Sequence, residues 1–355
     1  MRVVVTGATG NLGTALVTRL LDADHEVVGI ARRTPSAGDL AELVTWVPAD
    51  LSRDACAPAL RGAMRGADAV VHLAWGFQPS RRPDYLEELG VGGTRRVLAA
   101  ASAAGVPHLV HLSSVGAYAP KRDDVPVEES YPTTGIPGSP YSRHKSAAER
   151  LLDRHEADGA GAPRVTRLRP GILGHRAAAS ALLRYGVPAL VPGAALTRLP
   201  FVPLDRRLAI PAVHADDVAA AVALALDRTP GGAFNLMAEP PLGSHDLAAA
   251  LGARAVHVPG RALRAAAWAT WHARLQPLDP GWVDLAMQVP LLDTTRARVE
   301  LGWTPVHTAE ATLAELVAGL RDSASGPSPV LRPRSVARQL SERLRRGPIT
   351  RRERP

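Results

Sequence analysis

Tyr141 and Lys145 stand four residues apart in SPYSRHKSAAERLL, and Lys145 is one of only two lysines in a chain with 40 arginines. The segment's pattern predicts a helix from about Ser139, which puts residues i and i+4 on one face within reach of each other. A free phenol titrates near ~10, too high for efficient proton exchange at neutral pH, and an adjacent ammonium favours the phenolate. The spacing therefore predicts a Tyr141 hydroxyl made easier to ionise by Lys145. Lysine suits this task better than arginine, being a compact charge on a flexible stem that can also bond ligand hydroxyls. Upstream, HLVHLSSVGAY reads as a strand ending at Ser113 and Ser114. A serine hydroxyl there can hold a carbonyl or alkoxide oxygen while Tyr141 moves the proton.

A second constellation opens the chain. TGATGNLG places Gly7, Gly10 and Gly13 between a strand and the start of a helix. Glycine lets the backbone turn tightly and approach a pyrophosphate, which then meets exposed N–H groups and the positive end of a helix dipole. The next strand ends in GIARR, where NAD sites carry a carboxylate for the ribose hydroxyls and an arginine suits a 2′-phosphate. Arg32 and Arg33 with no carboxylate predict NADP over NAD, with Arg32 the main clamp.

Short β-branched runs must hold these residues: RVVVTG, EVVGIA, VTWVPA, DAVVHLA and HLVHLSS, alternating with helical stretches at about Asn11 to Ala23 and Arg82 to Ala104. Strands apolar on both faces belong to a parallel sheet covered on both sides. The fold expected is α/β, a Rossmann-like doubly wound parallel sheet with a smaller C-terminal substrate lobe. Its boundaries are a dinucleotide-binding domain over 1–174, a substrate-binding lobe over 175–322 with some segments returning to the sheet, and a basic, disordered tail over 323–355. Residues 119–140 hold five prolines and two glycines, which reads as a flap over the site or a plain surface insertion. Asp216 and Asp217, after His214, open a helix and read as capping carboxylates rather than metal ligands; no metal site is expected. His72, His108 and His111 read as core or edge residues.

Composition bounds the partners. The chain has 355 residues and a formal charge of +8, but residues 331–355 alone hold nine Arg against two Glu, a net of +7 that leaves +1 for the rest. The body therefore gives no reason to expect nucleic acid. The tail could touch acidic surfaces, since Val336, Leu340 and Leu344 share a helical face. A single cysteine, Cys56, excludes an internal disulfide framework. With no signal peptide read in MRVVVTG and no long apolar run, the cytoplasm is the expected compartment.

The chain also resembles a known family, the extended short-chain dehydrogenase/reductase or NAD-dependent epimerase/dehydratase family. The likeness runs in order through TGATGNLG, VPADL, VHLAW, GTRRVL, HLSSVGAY, YSRHK, RLRPG, VHADDVA, FNL and DTTRARVELGWTP. It implies catalytic Ser114, Tyr141 and Lys145, and cofactor contacts from Gly7, Gly10, Asn11, Leu12, Gly13, Asp50, Leu51, Leu73, Ala74 and Pro170. A small-molecule substrate and a homodimer are implied with it. Departures narrow the activity. Val115 and Gly116 stand where family dehydratases have an Asp-Glu pair, which argues against dehydration. Gly171 and Gly90 stand where many sugar-nucleotide members have Asn, which weakens the case for a sugar diphosphate and for a proton relay through residue 90. Trp75 and Phe77 suggest an apolar pocket wall or core packing. Three activities follow: hydride transfer between nicotinamide and a carbonyl or secondary alcohol carbon, epimerisation with a retained cofactor, or a non-catalytic NADP-binding regulatory or scaffold role.

Overall fold

The structure, a computed structural model, describes residues 1–35, 38–76, 83–159, 163–185, 192–276, 278–326 and 328–333. Phe77, Arg82 and most of the basic tail lie outside these residues. Seven parallel strands form the central sheet. In chain order the first six are β1 (Arg2–Thr6), β2 (Glu26–Ala31), β3 (Thr45–Pro48), β4 (Ala69–His72), β5 (His108–Leu112) and β6 (Arg164–Pro170). Their spatial order is β6-β5-β4-β1-β2-β3, with Gly232–Leu236 added beside β6. Strand order reverses between β1 and β4, and ligands of such sheets bind outside the carboxyl ends of the strands at that reversal.

Alternation along each strand splits the core in two. Val3, Val5, Val27, Val71 and Leu168 face the helices Asn11–Asp22 and Ala215–Arg228, with Trp303 sealing that layer. Val4, Val28, Ile30, Val70 and Leu109 face the opposite layer, which includes Leu60, Val97 and Leu152. Period-two side chains with both faces apolar produce this three-layer packing, each buried valine contributing about 1.5–3 kcal/mol.

The long helix expected from Arg82 is broken in character. Pro83–Glu87 is α-helical, Glu88–Gly92 is a π-helical turn, and Gly93–Ala103 is α-helical again. Gly90, Gly92 and Gly93 supply the backbone freedom for the wider turn. Beyond β6 a three-stranded sheet joins Ile172–Gly174, Ala209–His214 and Ala238–Gly243, and Phe201–Leu204 pairs with Arg254–His257. Among the described residues no helix is long and apolar enough to cross a membrane.

Two expectations change on inspection. The helix Ala215–Arg228 is capped by His214, whose Nδ1 accepts from the Asp216 N–H at 3.2 Å. Asp217 instead accepts from the Val306 and His307 amides at 2.9 and 3.0 Å, tying a distant loop to the helix start. His214, Asp216 and His307 offer ligand atoms within 4.8 Å of one another. His214 Nε2 is, however, engaged with Glu315 at 3.1 Å and His307 Nδ1 with Asp217 at 3.1 Å, so the cluster knots the lobe together. The start of the presumed tail is seated on the body: Ser328 donates to the Thr9 carbonyl at 2.8 Å, and Leu331 is buried.

Candidate active site

The glycine turn follows β1 directly. Gly7 has φ +73, and a Cβ there would lie 2.7 Å from the Ala74 backbone nitrogen. A Cβ on Gly13 would strike the Gly7 carbonyl, so the helix Asn11–Asp22 can back onto the turn only as glycine. Leu12 is buried beneath it, and no side chain caps this helix at Gly10. Its first amides thus face the turn, and Asn11 Oδ1 is buried with no hydrogen-bond partner among the described residues. An anion cradle beside an unsatisfied acceptor fits a pyrophosphate carrying ribose hydroxyls. Arg32 leaves β2 and donates to the Tyr85 hydroxyl at 2.6 Å; Arg33, next to it, is exposed. Asp50 accepts from the Ser52 hydroxyl at 2.7 Å, and Leu51 is buried against Gly93.

Leu73, Ala74 and Trp75 follow β4 and carry the site from the glycine turn to the reacting pair. The helix Pro140–Ala157 starts at Ser139, whose hydroxyl accepts from the Ser142 N–H, with Pro140 in the first turn. Tyr141 is therefore in the first turn and Lys145 one turn on. The Tyr141 ring lies between Trp75, edge-on at 6.4 Å between centroids, and Trp282 at 5.7 Å. A Cβ on Gly116 would sit 3.0 Å from Tyr141 Cε1, so an acidic side chain at 116 has no room. Likewise a side chain on Gly171 would collide with the Pro211 carbonyl. Pro170 closes β6 in register with Leu236.

The electrostatics depart from the expectation for Tyr141. Burial pushes its hydroxyl up to about 12, against the opposing effect of a hydrogen bond with Ser114. Burial also brings Lys145 down to about 7, opposed by the Glu149 carboxylate. The direction is opposite to the lowering expected: burial beside the two indoles costs the phenolate its hydration, and the hydrogen bond with Ser114 only partly offsets that cost. The ammonium donates to the Leu112 carbonyl at 2.7 Å and lies 3.7 Å from the centroid of the Trp75 ring. Ser114 also accepts from the Gly116 N–H at 3.0 Å, which fixes its hydroxyl at the end of β5.

Glu149, Trp282 and Tyr85 escaped the sequence reading. Glu149 is one further turn along the Tyr141–Lys145 face, and that i+4 step was legible. Trp282 arrives from a helix 141 residues away with no local signal. The Pro-rich segment does not lie loose: Val127 bridges to Leu292, and Glu129 accepts from the Asn235 N–H at 2.8 Å.

Beneath the site His72, His108 and His111 are buried. His72 bonds Thr6 at 2.6 Å and Thr94 at 3.1 Å, and His108 bonds Thr166 at 2.9 Å. Burial, aided by the Lys145 charge, holds His72 down at about 3; burial, aided by Arg164, holds His108 at about 4. Unfolded imidazoles protonate near ~6.5, so below that pH the unfolded chain binds more protons and stability falls. Urea midpoints should drop measurably between pH 6.5 and pH 5, before carboxylates contribute; a flat profile there contradicts neutral buried imidazoles.

A parallel sheet of reversed order with a glycine turn after its first strand defines a Rossmann-like α/β fold. The chain belongs to the NAD dependent epimerase/dehydratase family, whose model matches residues 3–236. It is 30% identical over 323 residues to an uncharacterized protein of Mycobacterium tuberculosis, covering 90% of this chain and 30% of that protein. The chain thus spans about a third of the length of that relative. A 3 beta-hydroxysteroid dehydrogenase/Delta 5-->4-isomerase of Mycobacterium tuberculosis is 28% identical, with 88% of this chain and 89% of that one covered. Among solved structures, a short-chain dehydrogenase/reductase superfamily protein from Agrobacterium tumefaciens with bound NAD superposes with a TM-score of 0.66 at 25% identity, covering 91% of this chain and 98% of that one.

Proposed function

We propose that this chain is an NADP-linked oxidoreductase that reduces a carbonyl, or oxidises the corresponding secondary alcohol, on an apolar carbon skeleton. The carrying observation is the hydrogen-bonded Ser114–Tyr141 pair with Lys145 one turn on, joined to the glycine turn through Leu73–Trp75. When bound, the nicotinamide supplies or accepts the hydride. Gly7, Gly10, Asn11 and Gly13 would hold the pyrophosphate, and Asp50, Leu51, Leu73, Ala74 and Pro170 the adenine and nicotinamide ends. Ser114 orients the substrate oxygen, Tyr141 exchanges the proton with it, and Lys145 holds ribose hydroxyls. In the protein without cofactor the buried phenol is protonated at neutral pH, so the proton it would give to a reduced carbonyl oxygen is in place. Trp75, Trp282 and Leu285 around Tyr141 and Gly116 favour an apolar substrate, as does the likeness to the 3 beta-hydroxysteroid dehydrogenase/Delta 5-->4-isomerase.

The closed spaces at Gly116 and Gly171 weigh against dehydration and against a sugar diphosphate contact, and the intact Tyr and Lys weigh against a purely regulatory role. The test is absorbance at 340 nm with NADPH and a panel of cyclic ketones. Net oxidation of NADPH supports the proposal; substrate isomerisation with catalytic cofactor and no net redox change means an epimerase instead.

Arg32 is the proposed 2′-phosphate clamp, held in place by Tyr85. Charge-assisted hydrogen bonds of this kind contribute about 1.5–3 kcal/mol, roughly 10- to 100-fold in an equilibrium. Arg32→Ala should lower kcat/KM for NADPH by about that factor and leave NADH within about threefold. An equal loss for both cofactors refutes the clamp.

A further inference from the structure

We propose that Trp75, seated on Gly90, is a positioning residue that holds the Lys145 ammonium on its indole face, in the space a side chain at position 90 would fill. A Cβ built on Gly90 lies 2.9 Å from Trp75 Cη2 and Cζ2 and 3.1 Å from Cε2. Glycine at this turn is therefore what lets the indole lie where it does. The indole also meets the two reacting side chains: Lys145 Nζ lies 3.7 Å from the ring centroid, and the Tyr141 ring is edge-on at 6.4 Å. An aromatic face attracts a cation through its quadrupole, and the attraction strengthens where water is excluded. Lys145 is 2% exposed. The Leu112 carbonyl and the indole face thus fix the ammonium from two sides, and among the described residues no further hydrogen-bond partner takes its third N–H.

The consequence is chemical. An amide or carboxylate at position 90 could pass a proton; an indole face beside a glycine cannot. In this chain position 90 contributes shape, and on that side the cation meets a π face, with the Leu112 carbonyl its polar partner. The titratable groups around it are Tyr141 and Glu149 on its own helix, with His72 and His111 on the strands beneath. This inference depends on Tyr141 and Lys145 acting as proposed above, so its test includes a measurement that needs no turnover.

In the protein without cofactor, indole emission followed against pH should show a transition that is absent in Lys145→Met and in Trp75→Phe, because the ammonium over the ring is what changes. Binding of NADPH, followed by calorimetry, should weaken about tenfold in Trp75→Leu and less than about threefold in Trp75→Phe, the spread expected for a desolvated cation–π contact. Gly90→Asn should weaken NADPH binding in the parent but much less in a Trp75→Ala background, since the clash is with the indole. Thermal unfolding of each variant separates loss of fold from loss of position. Additive effects of the substitutions at 75 and 90, or a Trp75→Leu protein that binds NADPH as the parent does, overturn the proposal. Should Tyr141→Phe stay fully active while the Trp75 and Gly90 substitutions remain coupled in binding, the oxidoreductase assignment fails and the indole seat survives.

Discussion

Tyr141→Phe should reduce kcat by about 10²- to 10⁴-fold, the usual contribution of one positioned acid or base, while leaving the fold and cofactor binding in place. The ring is what packs between Trp75 and Trp282 and against Gly116, and phenylalanine keeps all of that surface. What the substitution removes is the hydroxyl, and with it the hydrogen bond with Ser114. Lys145→Met should behave differently, with a loss of NADPH affinity added to the loss in kcat, because the ammonium holds ribose in the proposed complex. Steady-state kinetics with NADPH titrated at saturating ketone separates the two. A Tyr141→Phe enzyme within about threefold of the parent removes Tyr141 from the chemistry. The pH dependence follows from the same burial. Lys145 titrates at about 7 in the free protein, so NADPH affinity should decline as pH rises through 7. The protonated phenol, held at about 12, should stay available across that range.

How much of this could be read from sequence depends on the range over which each feature is encoded. The glycine turn, the strands of the sheet and the i, i+4 pairing are local, and each lies where its period and its breakers put it. Elements that meet only through the fold were invisible. Trp282 reaches Tyr141 from the far lobe. Tyr85 meets Arg32 across the mouth of β2, 53 residues apart. The direction of the Tyr141 shift was misjudged for the same reason: neighbouring charge is visible in a helical repeat, while desolvation is set by walls that come from three separate segments. The cap at the helix Ala215–Arg228 failed on a subtler point. A run of two aspartates resembles a capping signal, but the cap position is one residue before Ala215, where His214 presents a ring nitrogen to the second amide. Asp217 then points back to a loop ninety residues on.

Glu149→Ala should destabilise the chain by about 3–5 kcal/mol, the range seen when one partner of a buried ion pair is removed. Its side chain is fully buried and accepts from Arg169 Nε at 2.9 Å and Nη2 at 3.0 Å, from Arg167 at 2.9 Å and from the Ser113 hydroxyl at 2.5 Å. Arg167 keeps Asp153 and Glu156 as partners after the change. Arg169 keeps, among the described residues, the Tyr118 hydroxyl and ring and the Glu129 carbonyl, with the Glu129 carboxylate nearby, but loses the counter-charge it is hydrogen-bonded to. At roughly 2 °C per kcal/mol, the lower end reached by large chains, Tm should fall by about 6–10 °C. Asp153→Asn is the control: its carboxylate is half exposed, and removing it should cost no more than about 1 kcal/mol. Burial alone would raise the Glu149 carboxyl, yet the hydrogen bonds and charge of Arg169, with Arg167 and Ser113, hold it down at about 2. A carboxyl depressed in the fold stabilises fully above its unfolded value near ~4.5 and loses that contribution as pH falls toward 2. The Tm gap between parent and Glu149→Ala should therefore be full at pH 7 and shrink below pH 4.5. A gap that stays constant down to pH 3 would mean that lost packing, and not the unpaired Arg169, accounts for the damage.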